Sequence, residues 1–375
     1  MNPSLIFPAS DADKTYKLMI YVPLTDCRVI RPDRDWGAGK ISLYLRRRVV
    51  LAVIQVGALF VIGPAVWAQE MPHRFRQAID DPLELQKSEI WDVFGEFAVR
   101  GAHVHQASLH AMLRTGVKRL TGLADPNEAW RCFISDDDVV ALKFTHVGGK
   151  DLGTNEALAG ALLDVLYDAG FKAENFLIVD LDELPEQADG TRPWRYGWQN
   201  QEVDFGVDTD CLPVWLDEVT AIINIPSIMD DNIIGLRCSL ANLSYPMLKK
   251  PARLYLNRGD PFIADIYSLP QIRGKVRLHI ANALRVLYYG GPMVQPGYIY
   301  EPGSLIFSTD PVALDQVALQ LLRRTRRTMT MPYGVSDQIS AAYLDTAYAY
   351  GLGYNDLNFI SYHYIKHEKW RALSK

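Results

Sequence analysis

Polar side chains stand in this sequence where several apolar runs end. They carry amine, imidazole, hydroxyl, amide and carboxylate groups, which bind small ligands and transfer protons. They are Lys143, Thr145, His146, Asp180, Asp182, Asp230, Asp231, Asn232, Asn282, Ser308, Thr309 and Asp310. Carboxylates outnumber cations, so the set also suits a divalent cation held by oxygen ligands, for which Asp230 and Asp231 are the candidates.

Several of these residues also have a purely structural interpretation. Asp310 followed by Pro311 is a good helix start, with Asp at the N-cap and Pro at the first helical position. Asp260-Pro261 is expected to start another helix in the same way. A salt bridge to Asp180 would satisfy Lys143. Gly290-Gly291-Pro292 indicates a tight turn, which brings backbone N–H groups towards an anion but lacks the spacing of a phosphate loop.

Composition excludes several classes of function. A formal net charge of −5 argues against nucleic acid as a partner. The dense arginine run at Arg323, Arg324, Arg326 and Arg327 is typical of a solvated helix C-terminus. The common nucleophile-elbow, zinc-protease, phosphate-loop and dinucleotide motifs are absent from the sequence.

The four cysteines form no C-x-x-C pair. Cys27, Cys132, Cys211 and Cys238 are too few and too scattered for an iron–sulfur cluster, and no other cofactor is predicted. Either one disulfide or free thiols fits the three cysteines after Cys27.

The elements that must position the polar residues alternate between apolar strands and amphipathic helices from Asp136 onward. Strands are predicted at 139–144, 176–180, 219–225, 276–280, 303–307 and 357–362, and helices at 154–169, 232–243, 311–323 and 337–350. Near-continuous Val, Ile and Leu in the strands indicates burial on both faces. The prediction is an α/β fold with a mostly parallel sheet and helices on both faces, a three-layer sandwich. Ligands bind such sheets beyond the carboxyl ends of the strands.

Two further segments have their own patterns. Apolar spacing predicts helices over 88–100 and 105–120, where His103, His105 and His110 are expected to be solvated or packed rather than metal ligands. Residues 183–217 form a long polar insertion that contains Trp194, Tyr196, Trp198 and Trp215. Its aromatic side chains either line a ligand site or cover the sheet.

The segment from Arg46 to Glu70 has the parts of an export signal. Three arginines precede an apolar stretch, Gly63-Pro64 breaks it, and Val66 and Ala68 suit positions −3 and −1 of a cleavage site. The paired arginines loosely resemble a twin-arginine signal. The alternative is a membrane anchor through residues 49–67.

The predicted organisation has three parts. Residues 1–45 are an upstream segment, interpreted either as a start assigned too far upstream or as the cytoplasmic tail of an anchored protein. Residues 46–68 are the signal or anchor, and 69–375 are a single α/β domain with the insertion 183–217. The expected location is periplasmic, with membrane contact only through the signal or anchor.

A series of short motifs resembles the domain-of-unknown-function 362 family, in particular its exported bacterial members. The motifs are Ala129-Trp130, Asp138 to Lys143, Ile222 to Pro226, Leu240 to Leu243, Gly259 to Ile266, Gly290 to Pro292 and Ser308 to Asp315. The resemblance covers roughly residues 85–365 and adds Asn242, Asp260 and Asp315 to the candidate ligand-binding residues. It implies a fold and a site, whereas the activity of the family is not established.

The sequence departs from the family at several polar positions. Met229, Asp230 and Asp231 replace the usual lysine and histidine, Ala241 replaces a lysine, Asn282 an aspartate and Thr145 an asparagine. Such losses remove proton-transfer groups. Two hypotheses follow: an exported small-ligand protein or enzyme of unknown reaction, and a non-catalytic accessory or binding protein with a degenerate site.

Overall fold

The computed structural model describes residues 87–206 and 208–367, which contain strands throughout their length. The strands are β1 (Ser88–Gly95), β2 (Val99–Arg100), β3 (His103–Val104), β4 (Val140–Phe144), β5 (Phe176–Val179), β6 (Trp198–Asp204), β7 (Thr209–Pro213), β8 (Ala221–Ile225), β9 (Ser227–Asp231), β10 (Gly235–Arg237), β11 (Val276–Leu287), β12 (Ile299–Tyr300), β13 (Ser304–Ser308) and β14 (Ile360–His367).

Helices connect many of these strands. They are α1 (Gln106–Thr121), α2 (Pro126–Trp130), α3 (Asn155–Asp168), α4 (Ser239–Asn242), α5 (Phe262–Tyr267), α6 (Pro270–Arg273), α7 (Pro311–Thr328) and α8 (Tyr343–Ala349). Asp310 caps α7 by accepting from the backbone N–H groups of Val312 and Ala313, and Pro311 follows it, as the sequence predicts.

The main sheet has the strand order β14-β1-β13-β11-β8-β4-β5. Strands β11, β8, β4 and β5 pair in parallel, as do β1 and β14, whereas β13 lies antiparallel between β1 and β11. The prediction of an α/β fold with a mostly parallel sheet is therefore confirmed, with the correction that the sheet is mixed. The three-layer arrangement stays a prediction.

The central strands are apolar because both of their faces are buried. Alternate residues of β4 enter different hydrophobic clusters: Val140 and Leu142 pack with residues of α1 and α3, whereas Ala141 packs with residues of α7 and α8. Lys143 has the same parity as Ala141. Its side chain therefore projects from the face of the sheet that packs against α7 and α8. Its amine is buried there and needs a polar partner.

Three predicted helices are wrong or too long. Residues 88–95 are strand β1, because β13 and β14 pair with both of its edges and outweigh the helical spacing of its apolar residues. Residues 232–243 begin as a turn and the short strand β10, which pairs with β9, and are helical only in α4. The last predicted helix, over 337–350, is reduced to α8.

The predicted upstream segment and the signal or anchor, residues 1–68, lie outside the described residues. Across residues 87–206 and 208–367, the helices are all too short or too polar to cross a membrane.

Candidate functional site

A row of buried polar residues crosses the centre of the sheet at the level of the carboxyl ends of β4 and β8. Lys143 of β4 lies opposite Asn224 of β8, Asn224 lies opposite His279 of β11, and His279 lies opposite Ser308 of β13. All four are buried. Buried polar groups are costly unless they are hydrogen-bonded, so this row must be satisfied internally or by a ligand.

The first member of the row pairs with a carboxylate. The Lys143 Nζ lies 2.6 Å from Asp180 Oδ2 and donates to the Phe144 carbonyl at 2.9 Å. Burial lowers the pKa of the Lys143 amine, and the charge of Asp180 opposes that shift. The salt bridge expected as the structural interpretation is therefore present. Asp180 itself has φ 61°, a left-handed conformation that is uncommon for a residue other than glycine and concentrates at functional sites.

A chain of hydrogen bonds links Thr145 to the row. The Thr145 hydroxyl donates to Asn242 Oδ1 at 3.1 Å, and the Asn242 amide donates to Asn224 Oδ1 at 2.7 Å. The backbone N–H of Ser227 donates to the Thr145 hydroxyl at 2.8 Å. Hydrogen bonds to Ser227 and Asn224 thus fix the side chains of Thr145 and Asn242 in position.

The next step of the chain fixes the state of His279. The Asn224 amide nitrogen lies 3.0 Å from His279 Nδ1, and the Tyr267 hydroxyl lies 3.3 Å from His279 Nε2. An amide nitrogen only donates, so Nδ1 accepts and the proton resides on Nε2. Burial lowers the pKa of His279 to about 3, in agreement with a neutral ring. His279 therefore serves as a neutral link of the network at ordinary pH.

A cavity of about 450 Å³ opens beyond the carboxyl ends of β4 and β5. Its volume lies within the range of about 300–1,000 Å³ typical of small-molecule sites. Five of the polar residues singled out from the sequence line it, namely Thr145, His146, Asp180, Asp182 and Asn242. The insertion supplies the aromatic side chains of the lining, called here the aromatic wall, namely Trp194, Tyr196 and Trp198. Of the two uses left open for the aromatic residues of the insertion, these three line the cavity, whereas Trp215 is buried in the core.

Charged groups of the cavity wall are largely neutralised by partners. Asp182 Oδ2 lies 3.1 Å from the Lys150 Nζ, and its other oxygen lies 3.9 Å from His146 Nδ1. The Arg237 Nε lies 2.7 Å from Asp231 Oδ2, and its guanidinium stacks 4.9 Å from the centroid of the Tyr245 ring. Together with the Lys143–Asp180 pair, these contacts balance the charges of Asp180, Asp182 and Arg237, and the exposed Lys249 adds a further positive charge to the lining.

Asp230 and Asp231 lie outside the lining of this cavity and are satisfied within the protein. Asp230 accepts from the Arg326 guanidinium at 2.5 Å and from the backbone N–H groups of Gly290 and Gly291. The turn formed by Gly290 and Gly291 does present N–H groups to an anion, and that anion is Asp230. Burial raises the pKa of Asp230 to about 6, and the charge of Arg326 opposes this.

The expected solvated arginine run needs a correction at Arg326. Its side chain is buried, because it reaches back from α7 to Asp230 and also donates to the Tyr288 carbonyl at 2.7 Å. A metal ion at Asp230 and Asp231 would have to displace arginines from both carboxylates. Among the described residues, no group of three or more His, Cys, Asp or Glu side chains is placed to hold a metal ion.

Three other candidate aspartates hold elements together. Asp315 accepts from the backbone N–H groups of Ser239 and Leu240 at 2.6 and 3.1 Å, so it caps the short helix that carries Asn242. Burial raises the pKa of Asp315 to about 7. Asp310 caps α7, and burial raises its pKa too. The helix expected after Asp260-Pro261 is present as α5, but Asp260 does not cap it, because its carboxylate accepts from the Thr346 hydroxyl instead.

Asn282 belongs to a separate polar cluster. Its amide donates to the Thr154 hydroxyl at 2.8 Å and to Asn155 Oδ1 at 2.9 Å, which ties β11 to the start of α3. Asn282 is outside the lining of the 450 Å³ cavity. Its role in the described structure is to satisfy buried groups.

The structure thus brings together Thr145, His146, Asp180, Asp182 and Asn242, with Lys143 behind Asp180. It does not bring the carboxylates of Asp230, Asp231, Asp260, Asp310 and Asp315, or the amide of Asn282, into the same cavity. Sequence reasoning missed Asn224, His279 and Arg237. For Asn224 and His279 the available signal was a polar residue inside an otherwise apolar strand, which indicates a buried network, whereas the short strand that ends at Arg237 gives no such signal.

The histidine and cysteine expectations have clear outcomes. His105 caps α1 by accepting from the backbone N–H of Ser108, and His110 Nε2 lies 2.9 Å from Asp164 Oδ2. Cys132, Cys211 and Cys238 are free thiols. Cys27 lies outside the described residues.

Comparison with protein families gives a match over residues 182–320. No curated protein matches the chain. The matched segment contains the insertion, β8 to β13 and the start of α7, and therefore Asn224, Asn242 and the aromatic wall of the cavity. Residues 182–320 match the model of the family described as "Domain of unknown function (DUF362)", which supports the resemblance to that family over this segment.

Proposed function

We propose that this protein binds a small ligand in the 450 Å³ cavity at the carboxyl ends of β4 and β5. The observation that carries the proposal is the convergence of Asp180, Asn242 and Thr145 from separate strands and helices on one void, faced by aromatic residues from the insertion. Concave sites with an apolar wall and a few fixed polar groups are typical of small-molecule binding.

Binding without catalysis is the second candidate, and the hydrogen bonds of the cavity wall favour it. Thr145 and Asn242 form hydrogen bonds with each other and with Asn224, Ser227 and the Lys143 carbonyl. Lys143 is held in an ion pair. Groups held in this way orient a ligand rather than transfer a proton.

The binding proposal is tested with the purified chain and a thermal-shift screen against a defined library of common metabolites. A ligand that binds the folded state raises the melting temperature. At least one compound should stabilise the wild type and the matched control Trp91→Phe, since Trp91 stacks on His363 at the sheet edge. The same compound should have little effect on Trp198→Ala. If the compound stabilises the wild type and both variants equally, its binding site lies outside this cavity.

We further propose that the chain is exported to the periplasm through a signal at residues 46–68. The arginines, apolar stretch and cleavage-like end described from the sequence support this. N-terminal sequencing of the protein from the periplasmic fraction should begin at Gln69. Recovery of a product that retains Arg46 in the membrane fraction would favour the anchor instead.

A further inference from the structure

We propose that the ligand of the cavity is a neutral saccharide, an inference that rests on the binding function proposed above. A saccharide has ring faces of C–H groups and an edge of hydroxyl groups. The lining of the cavity combines aromatic side chains with hydrogen-bonding groups.

The aromatic side chains that line the cavity contact one another in sequence. Trp194, Tyr196 and Trp198 are spaced two residues apart, and the ring centroids of neighbours lie 6.1 and 6.4 Å apart in edge-to-face contacts. The faces of aromatic rings carry partial negative charge, and the C–H groups of a sugar ring carry partial positive charge. Because neighbouring rings are nearly perpendicular, a sugar face stacks on the face of one of these rings and meets the edge of the next.

The polar wall suits hydroxyl groups. Asp180 and Asp182 offer carboxylate oxygens that accept hydrogen bonds, and His146 offers ring nitrogens. The indole N–H groups of Trp194 and Trp198 are donors. Each sugar hydroxyl donates one hydrogen bond and accepts others, so this mixture of acceptors and donors matches a polyhydroxylated edge.

The charges of the wall favour a neutral ligand over an ion. Asp180 is paired with Lys143, Asp182 with Lys150, and Arg237 with Asp231. Lys249 is exposed, so water and salt screen its charge. An anion would meet the two carboxylates, and a cation would meet Lys143 directly behind Asp180. A neutral molecule meets neither penalty.

The test uses isothermal titration of the full chain with matched probes. Cellobiose, maltose and N,N′-diacetylchitobiose are neutral, the deacetylated chitosan dimer is the cationic counterpart of the last, digalacturonate is anionic, and indole is apolar. At least one neutral disaccharide should bind more tightly than both charged probes. Its affinity should change by less than about twofold between low and high salt, as expected without ionic contacts.

Variants locate the binding and separate the possible failures. Trp198→Ala should weaken saccharide binding by about tenfold, the loss expected for an aromatic contact. Trp91→Phe should leave it unchanged. Binding of indole or a charged probe, but of no neutral saccharide, would overturn the saccharide assignment and leave the cavity as a ligand site if Trp198→Ala abolishes it. Binding of no probe by the wild type would overturn the saccharide assignment, while a positive metabolite screen would still uphold the binding function.

Discussion

Asp180 and Asp230 both lie where a strand of the main sheet ends, and each pairs with a buried cation. Asp230 also receives two backbone N–H groups and sits away from the cavity. Asp180 borders the cavity, and among the described residues no backbone N–H donates to it. The same residue type at the same kind of position is thus a structural anchor in one case and a candidate ligand contact in the other. Unused hydrogen-bonding capacity beside a void makes the difference.

The largest expected effect is on the anchor. Arg326→Ala leaves the Asp230 carboxylate buried without its cation and should lower the free energy of unfolding by about 3–5 kcal/mol. Urea denaturation measures this. Arg324→Ala is the matched control, because that exposed neighbour should change the free energy by less than about 0.5 kcal/mol. Equal losses in the two variants would contradict the role assigned to the Asp230–Arg326 pair.

The stability of the protein should depend on pH through Asp315. This buried carboxyl caps α4, the helix that carries Asn242 to the cavity. Burial raises its pKa from 3.8 to about 7, so the folded state keeps a proton that the unfolded chain has lost between those values. The stabilising contribution is complete below about pH 4 and is lost as the pH rises through about 7. Asp315→Asn should flatten this part of the stability profile, measured by urea denaturation at several pH values.

The control for the pH experiment is Asp345→Asn, which changes an exposed aspartate. Its profile should follow that of the wild type. If the difference between the wild-type and Asp315→Asn stabilities does not change with pH over this range, the pKa of Asp315 is not raised by folding.

A smaller stability effect is expected for the pair beside the cavity. Asp180→Ala leaves Lys143 buried without its carboxylate and should cost about 1–3 kcal/mol. The double variant Lys143→Met with Asp180→Ala should recover part of that loss, because it removes the unpaired charge as well. Urea denaturation of the single and double variants gives both values. If the double variant is the least stable, the pair is an anchor like Asp230–Arg326.

The smallest stability effect is expected on the aromatic wall. The Tyr196 side chain is 81% exposed, so Tyr196→Ala should change the free energy of unfolding by less than about 0.5 kcal/mol. The same variant should weaken ligand binding, measured with whichever compound the thermal-shift screen identifies. If Tyr196→Ala greatly lowers the stability and leaves ligand binding unchanged, the aromatic wall has a structural role and does not contact the ligand.

Local sequence patterns predicted much of the fold. Strands β4, β5, β8 and β13 were recognisable as apolar runs, and α7 by its Asp310-Pro311 start. Strand β1 was not, because its apolar spacing fits a helix and only its pairing with β13 and β14 makes it a strand. Strand β9 was missed because Asp230 and Asp231 make it polar, although β11 pairs with it.

The sequence by itself determined which segments are apolar enough to be buried strands, and therefore that polar residues must emerge where they end. Only the tertiary structure decided which of those residues meet. The register that aligns Lys143, Asn224, His279 and Ser308 is set by hydrogen bonds between strands far apart in the chain. The same long-range contacts bring Arg326 to Asp230 and leave Asp180 beside a cavity, because pairing of buried charges depends on distance in space and not on residue type.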